Sequence, residues 1–234
     1  MLNKYLGEEV VIYKNGEFYA EGILKIETEI NASNEREIYP YFVDCGDKDI
    51  AVTEEILEGC TYSNGDILTM ELKPINVKLQ RANAKVPERI GGSDKSCWFD
   101  TYVSDIKVVG EEVREALAEN KPYLRYHKGD IVTVSLGFSL DMPKGKEAVV
   151  VPRSSTFKKY GLLLVNSQGV IDTAYSGDGD EWLGVFLAVT DGRLDIGDRV
   201  LQFRIQNRQP DYVLNVVESL GNKDRGGFGT TGRK

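Results

Sequence analysis

Asn166-Ser167-Gln168-Gly169-Val170-Ile171-Asp172-Thr173-Ala174-Tyr175-Ser176-Gly177-Asp178 is the most informative run in this chain of 234 residues. Val170 and Ile171 read as a short β-arm, and Thr173 to Gly177 close it with a turn. Asp172 then sits at the mouth of a hairpin, with Tyr175 nearby as a flat surface. A tight hairpin offers backbone N–H and C=O groups to a planar polar ligand, and a carboxylate beside it can activate a water. The segment points to a small-molecule pocket.

β signals dominate on both sides of it. Gly161 opens the apolar strand Leu162 to Val165, and Ile131 to Leu136 and Ala148 to Val151 continue the pattern. Near the start, Glu9 to Tyr13 and Phe18 to Ile26 flank Asn15-Gly16, a strong hairpin pair. Further strands are expected at Ile38 to Val43, Ile50 to Val52 and Ile67 to Leu72. Residues 1–72 therefore read as a small antiparallel β module. A boundary falls near Lys73-Pro74, where proline interrupts before the alternation of Ile75, Val77 and Leu79. One helix is expected at Gly110 to Asn120: Val113, Ala116 and Leu117 share a face, acids crowd the first turn and Pro122 follows.

Composition sets milder bounds. Apolar residues make up 41% and charged residues 28%, ordinary for a soluble globular protein. A net charge of −8 argues against a general nucleic-acid or membrane-surface binder. Cys45, Cys60 and Cys97 show no metal-ligand spacing and fit a reducing cytoplasm. Neither a signal peptide nor a membrane span is read, because Met1 to Glu8 turns acidic at once. His127, in the polar turn Tyr126-His127-Lys128, reads as a surface residue.

Three further segments agree with the hairpin. Pro152-Arg153-Ser154-Ser155 is a strand end opening into a polar turn, and an Arg fork with two hydroxyls suits an oligophosphate. Gly197-Asp198-Arg199-Val200-Leu201-Gln202 is a turn entering a strand that continues to Ile205. Arg225-Gly226-Gly227-Phe228-Gly229-Thr230-Thr231-Gly232 is a Gly-rich tail with one aromatic and two hydroxyls.

In these segments the chain resembles the trimeric, all-β dUTP pyrophosphatases (dUTPases), from roughly Ile75 to the C-terminus. The second motif of that family resembles Pro152 to Ser155, the third Gly169 to Asp178, the fourth Gly197 to Gln202 and the fifth Gly226 to Gly232. The likeness is greatest to dUTPases of Gram-positive bacteria and their phages. The first motif, usually Ala-Gly-x-Asp-Leu, is matched only by Cys97-Trp98-Phe99-Asp100-Thr101, where the Asp alone survives. In many members the tail Arg lies five residues before the Phe, where this chain has Lys223; Arg225 is closer.

The resemblance implies an all-β, dUTPase-like β-barrel or jelly-roll with one short helix over residues 73–234, ending in a flexible tail from about 221 to 234. It implies hydrolysis of dUTP to dUMP and diphosphate by in-line water attack on the α-phosphorus. Asp172 would be the general base; the alternative is a turn Asp that caps its own backbone. Arg153, Ser154 and Ser155 would hold phosphates, or form an ordinary strand-end turn. Gln202 would donate to a phosphate oxygen, or be an exposed strand residue. Asp198 and Arg199 would touch the ligand, or form a structural ion pair with each other.

Asn166, with backbone groups around Gly169 and Ile171, would select uracil, and Tyr175 would stack below the sugar; the alternatives are a bulge amide, a turn Gly and a core aromatic. Phe228 would stack on the base while Arg225, Gly229, Thr230 and Thr231 close over the phosphates, or the tail is a disordered terminus. Mg²⁺ would be held chiefly by the triphosphate and waters, with Asp100 reaching it through water. The resemblance further implies a homotrimer with shared sites, in which motif 3 and the tail come from neighbours of the chain carrying motifs 2 and 4. A cytoplasmic place of action is expected, with no nucleic-acid or membrane partner. A different class stays open: a dUTPase-derived regulatory or protein-interaction factor whose residues 1–72 meet a protein partner. A dCTP deaminase would need a Glu acid/base where this chain has Asp-x-x-Tyr.

Overall fold

The computed structural model describes Leu2, Ile56 and residues 6–30, 36–47, 49–52, 59–61, 65–109, 116–118 and 121–224. Two compact units emerge. One comprises Met1–Val86, Gly137–Asp141 and Ser176–Trp182; the other comprises Pro87–Leu136, Met142–Tyr175 and Leu183–Lys234.

The first unit is built on β1 (Glu9–Lys14), β2 (Glu17–Ile30), β3 (Arg36–Asp44), β4 (Asp49–Val52), β5 (Cys60–Thr61) and β6 (Ile67–Leu72). They form a six-stranded antiparallel sheet in the order β4-β3-β2-β1-β6-β5. Alternation puts Val10, Ile12, Leu24, Val43, Val52, Leu68 and Met70 on one buried face with Leu2 and Ile56. Asn15 and Gly16 both take positive φ, 54° and 85°, as a two-residue hairpin of this handedness requires. Asn15 also fastens the hairpin: its carboxamide oxygen accepts from the Ile67 N–H at 2.8 Å. In the same unit β7 (Val77–Leu79) pairs with β13 (Phe138–Leu140), and Phe138 packs on Trp182 at 5.0 Å between ring centroids.

The second unit holds three antiparallel sheets. β10 (Ala116–Ala118), β11 (Lys121–Tyr126) and β18 (Gly192–Asp195) form one, in that order. β15 (Leu162–Leu164), β17 (Leu183–Ala188), β12 (Ile131–Ser135) and β9 (Asp105–Val109) form the next. β16 (Gly169–Ile171), β14 (Lys146–Pro152), β19 (Leu201–Asn207) and β8 (Phe99–Asp100) form the third. Val132, Val134, Ala148, Leu162, Phe186, Leu194, Leu201 and Phe203 are buried among them.

The expected helix at Gly110 to Asn120 is corrected where it is described. Ala116, Leu117 and Ala118 lie in a strand, paired with Tyr123, Pro122 and Lys121. A helix of about three turns is marginal alone, so a neighbouring strand with open hydrogen-bonding groups decides the outcome. The one helix among the described residues is α1, Thr156–Tyr160, directly after the Arg153-Ser154-Ser155 turn. No described helix is long and apolar enough to cross a membrane.

Candidate active site

β14 delivers Arg153, Ser154 and Ser155 into the turn before α1, and the strand entry at Val200 holds that turn. The Arg153 N–H donates to the Val200 carbonyl at 3.1 Å, and the buried Thr156 hydroxyl donates to the same oxygen at 2.7 Å. Ser155 occupies the N-cap of α1 without a side-chain cap bond, and both serines are exposed. Their hydroxyls are therefore turned to solvent rather than used by the fold.

Two arginines converge on one buried carboxylate. Arg153 donates Nε–H to Asp100 Oδ1 at 2.9 Å, and Arg199 donates Nη1–H to Asp100 Oδ2 at 3.0 Å. Asp100 is fixed by β8, where it stands opposite Gln202 of β19, and by a two-way backbone bridge to Glu88. The aromatic residues of this departed motif explain themselves as anchors. Phe99 stacks on Phe203 at 5.2 Å, and the Arg204 guanidinium lies over the Trp98 ring. The Gln202 side chain takes no hydrogen bond among the described residues and is half-buried.

The expected pair between Asp198 and Arg199 is not formed. Arg199 goes to Asp100, while Asp198 accepts from the Asp195 N–H at 3.0 Å and meets Lys159 at 3.7 Å. Lys159 also donates to the Tyr160 hydroxyl at 2.6 Å, and this bond, first of all, holds its ammonium above the usual lysine range. Arg199 lies within the fourth motif segment, whereas Lys159 and Tyr160 carry no sequence signal of their place beside Asp198.

The Asn166 hairpin is drawn tight. Gln168 N–H donates to the Asn166 carbonyl at 2.6 Å, and Ser167 is held at φ 60°, where only Asn15 joins it among the described non-glycine residues. Gly169 and Ile171 then pair with Val150 and Ala148 of β14. Asn166 is exposed, and Tyr175 is 38% exposed, which removes the core-aromatic reading. Asp172 is exposed as well. Its Oδ1 accepts from the Ala174 N–H at 2.9 Å, the self-capping turn, and its carbonyl accepts from the Tyr175 N–H at 3.2 Å. Its second carboxylate oxygen takes no described partner, so capping and chemistry are compatible in this side chain.

A β-branched residue at Ser167 meets a steric cost of about 1–2 kcal/mol in the left-handed region. Ser167→Val is expected to disturb Asn166 and raise KM by about tenfold, whereas Ser167→Gly stays within about twofold of the parent. Steady-state kinetics on the two variants check this.

His127 is exposed at a turn, 3.7 Å from Asp191, as expected of a surface residue. Arg225, Phe228, Gly229, Thr230 and Thr231 lie outside the described residues.

Asp100 does not suit direct coordination of Mg²⁺. Both of its oxygens are engaged by guanidinium groups, and a divalent cation would have to approach two positive charges. Among the described residues no group of three His, Cys, Asp or Glu side chains could hold a metal ion.

No family model matches the chain. Individual relatives do. The SPbeta prophage-derived deoxyuridine 5'-triphosphate nucleotidohydrolase of Bacillus subtilis is 48% identical over 107 residues, 46% of this chain and 75% of that protein. The deoxyuridine 5'-triphosphate nucleotidohydrolase of Heliobacterium modesticaldum is 33% identical over 163 residues, 68% of this chain and 96% of its own length. A dUTPase of Staphylococcus bacteriophage 80alpha, solved with dUpNHpp, shares the fold, with a TM-score of 0.50 at 17% identity over 69% of this chain and 99% of that one. A β architecture with four motif segments in order, and relatives matched over most of their length, lead to one assignment: the chain belongs to the deoxyuridine 5'-triphosphate nucleotidohydrolase (dUTPase) family.

Proposed function

We propose that the chain hydrolyses dUTP to dUMP and diphosphate, at sites shared between copies of itself. One observation carries the sharing. Along β14, Asp172 follows the pair Ile171–Ala148 at one end, while Arg153 and Ser154 follow Pro152 at the other. Six residues of strand separate them, roughly 20 Å at about 3.3 Å per residue. A general base and the groups that hold the phosphates must act within a few ångströms of one phosphorus atom. The base of one copy therefore serves the phosphate-holding turn of another.

Two surfaces support assembly. Val109, Leu163, Val165, Leu183, Val185 and Leu187 are exposed strand residues of the β15-β17-β12-β9 sheet or its immediate end. An apolar sheet face of this kind marks an interaction surface, and further copies of the chain, in a homotrimer, fit it. Residues 208–224 run as exposed coil in which Val213, Leu214 and Val216 are more than nine-tenths exposed, as an arm reaching a neighbour would be.

In the proposed reaction, Asp172 takes a proton from the attacking water, and Arg153, Ser154, Ser155 and Gln202 hold the phosphates. Asn166 and the backbone at Gly169 and Ile171 read the uracil edge; Tyr175 packs below the sugar; Arg225, Phe228, Gly229, Thr230 and Thr231 close over the substrate. Mg²⁺ enters with the triphosphate, on its oxygens and waters. All of these residues belong to the dUTPase-like part, after the β module of residues 1–72. The activity is placed in the cytoplasm.

Diphosphate release from dUTP, with dTTP, dCTP and UTP in parallel and with Mg²⁺ or EDTA, tests the function. Release from dUTP alone, lost in EDTA, is expected. Equal rates on all four nucleotides would overturn the assignment of the hairpin to uracil and deoxyribose.

A further inference from the structure

The Asp100 triad is a device for aiming cations. We propose that Asp100 is a positioning residue: its buried carboxylate holds Arg153 and Arg199 side by side so that their remaining N–H groups face the triphosphate, and it holds no metal. The proposal rests on the reading of the Arg153-Ser154-Ser155 turn as the phosphate holder.

The geometry supports it in three ways. Each carboxylate oxygen takes one guanidinium N–H, at 2.9 and 3.0 Å, so the carboxylate serves the two arginines evenly. The Asp100 side chain is 8% exposed, whereas those of Arg153 and Arg199 are 26% and 32% exposed. The anion is thus on the inside and the cations reach outward. Each guanidinium spends one donor on Asp100, and an arginine has five in a planar fork. Arg153 adds only a 3.5 Å contact from Nη1 to the Arg199 carbonyl. The exposed serines and the Gln202 amide lie beside them in sequence or in register.

Two arginines side by side repel one another unless an anion lies between them. With Asp100 present, the triad carries a net positive charge and one geometry. Without it, the charge is larger but the two forks are free to turn away. Replacing the anion should therefore damage turnover while leaving attraction for polyphosphate intact, a pattern that general loss of packing does not produce.

The test uses Asp100→Asn and Arg199→Gln in the full chain, with thermal unfolding to verify folding. Four readouts are taken: kcat, KM, the Mg²⁺ concentration for half-maximal rate, and the Kd for inorganic tripolyphosphate. For Asp100→Asn the expected result is a 10- to 100-fold fall in kcat, with KM and tripolyphosphate Kd unchanged or lower, and the Mg²⁺ midpoint within about twofold of the parent. For Arg199→Gln the tripolyphosphate Kd rises by about tenfold, because a cation is lost. A tenfold rise in the Mg²⁺ midpoint for Asp100→Asn would make Asp100 a metal-linked residue and overturn the proposal. So would an unchanged kcat in Asp100→Asn, or an unchanged tripolyphosphate Kd in Arg199→Gln. If Asp100→Asn does not fold, Arg199→Gln decides alone. If the parent chain does not hydrolyse dUTP, the proposed function fails, and tripolyphosphate binding still decides whether the triad presents its cations.

Discussion

Asp172→Ala is expected to lower diphosphate release from dUTP by about 10³-fold or more at an unchanged unfolding temperature, since a positioned general base contributes about 10²–10⁴-fold. In the proposed reaction the carboxylate has two tasks, and two variants separate them. Oδ1 accepts the Ala174 N–H and closes the turn after β16. Asp172 is exposed, and the second oxygen, with no described partner, is the one that takes the proton in the proposed reaction. Asp172→Asn keeps an oxygen for the turn but cannot accept a proton at neutral pH, so it should be as inactive as Asp172→Ala. Rates and thermal unfolding of both variants check the point. An active Asp172→Asn beside an inactive Asp172→Ala would return Asp172 to the role of turn cap.

Gly192→Ala is expected to cause a large loss of stability. Gly192 stands opposite Tyr126 across β11 and β18, and the aromatic ring lies over it. A Cβ at Gly192 would come within 2.6 Å of Tyr126 ring atoms and 2.5 Å of its hydroxyl. The ring cannot step aside at low cost: Tyr126 is 1% exposed and its hydroxyl donates to the Tyr160 carbonyl at 2.7 Å. Burial also pushes the Tyr126 phenol far above the ordinary tyrosine range, so it remains a neutral donor at every working pH. Overpacking costs about 1–3 kcal/mol, and loss of a buried hydrogen bond adds about 1 kcal/mol. For a protein of this size the two together lower Tm by roughly 5–15 °C, read by calorimetry. The disturbance also reaches Tyr160 at the end of α1, so kcat should fall along with stability.

Much of the β architecture was legible because it rests on local chemistry. Asn15-Gly16 announces its hairpin through the positive φ that both residues adopt, and Val10, Ile12, Leu68 and Met70 announce a buried face through alternation. The helix expected at Gly110 to Asn120 failed at its described residues, 116–118, for the opposite reason. Spacing and acidic residues favoured it locally, but Ala116 to Ala118 pair with β11, whose own partner β18 lies about seventy residues on. The helix found among the described residues, Thr156–Tyr160, is too short to carry a period.

The site divides in the same way. The turn that carries Asp172 and Tyr175 was legible because its segment is continuous. The partners of Asp100 were not, since Arg153 and Arg199 are 53 and 99 residues away and nothing in the run Cys97 to Thr101 points to them. The separation of Asp172 from Arg153 was equally hidden, because it depends on the register of β16 against β14 rather than on any residue type.

That separation is the center of the account, and subunit mixing tests it most directly. Asp172→Ala and Ser154→Ala chains are each prepared inactive, unfolded together, refolded as a mixture and assayed for diphosphate release from dUTP. If base and phosphate holder come from different copies, random mixing in equal amounts makes about a quarter of the sites intact, and about a quarter of the parent activity returns. A mixture no more active than its two components would place Asp172 and Ser154 in the same copy's site and contradict the account.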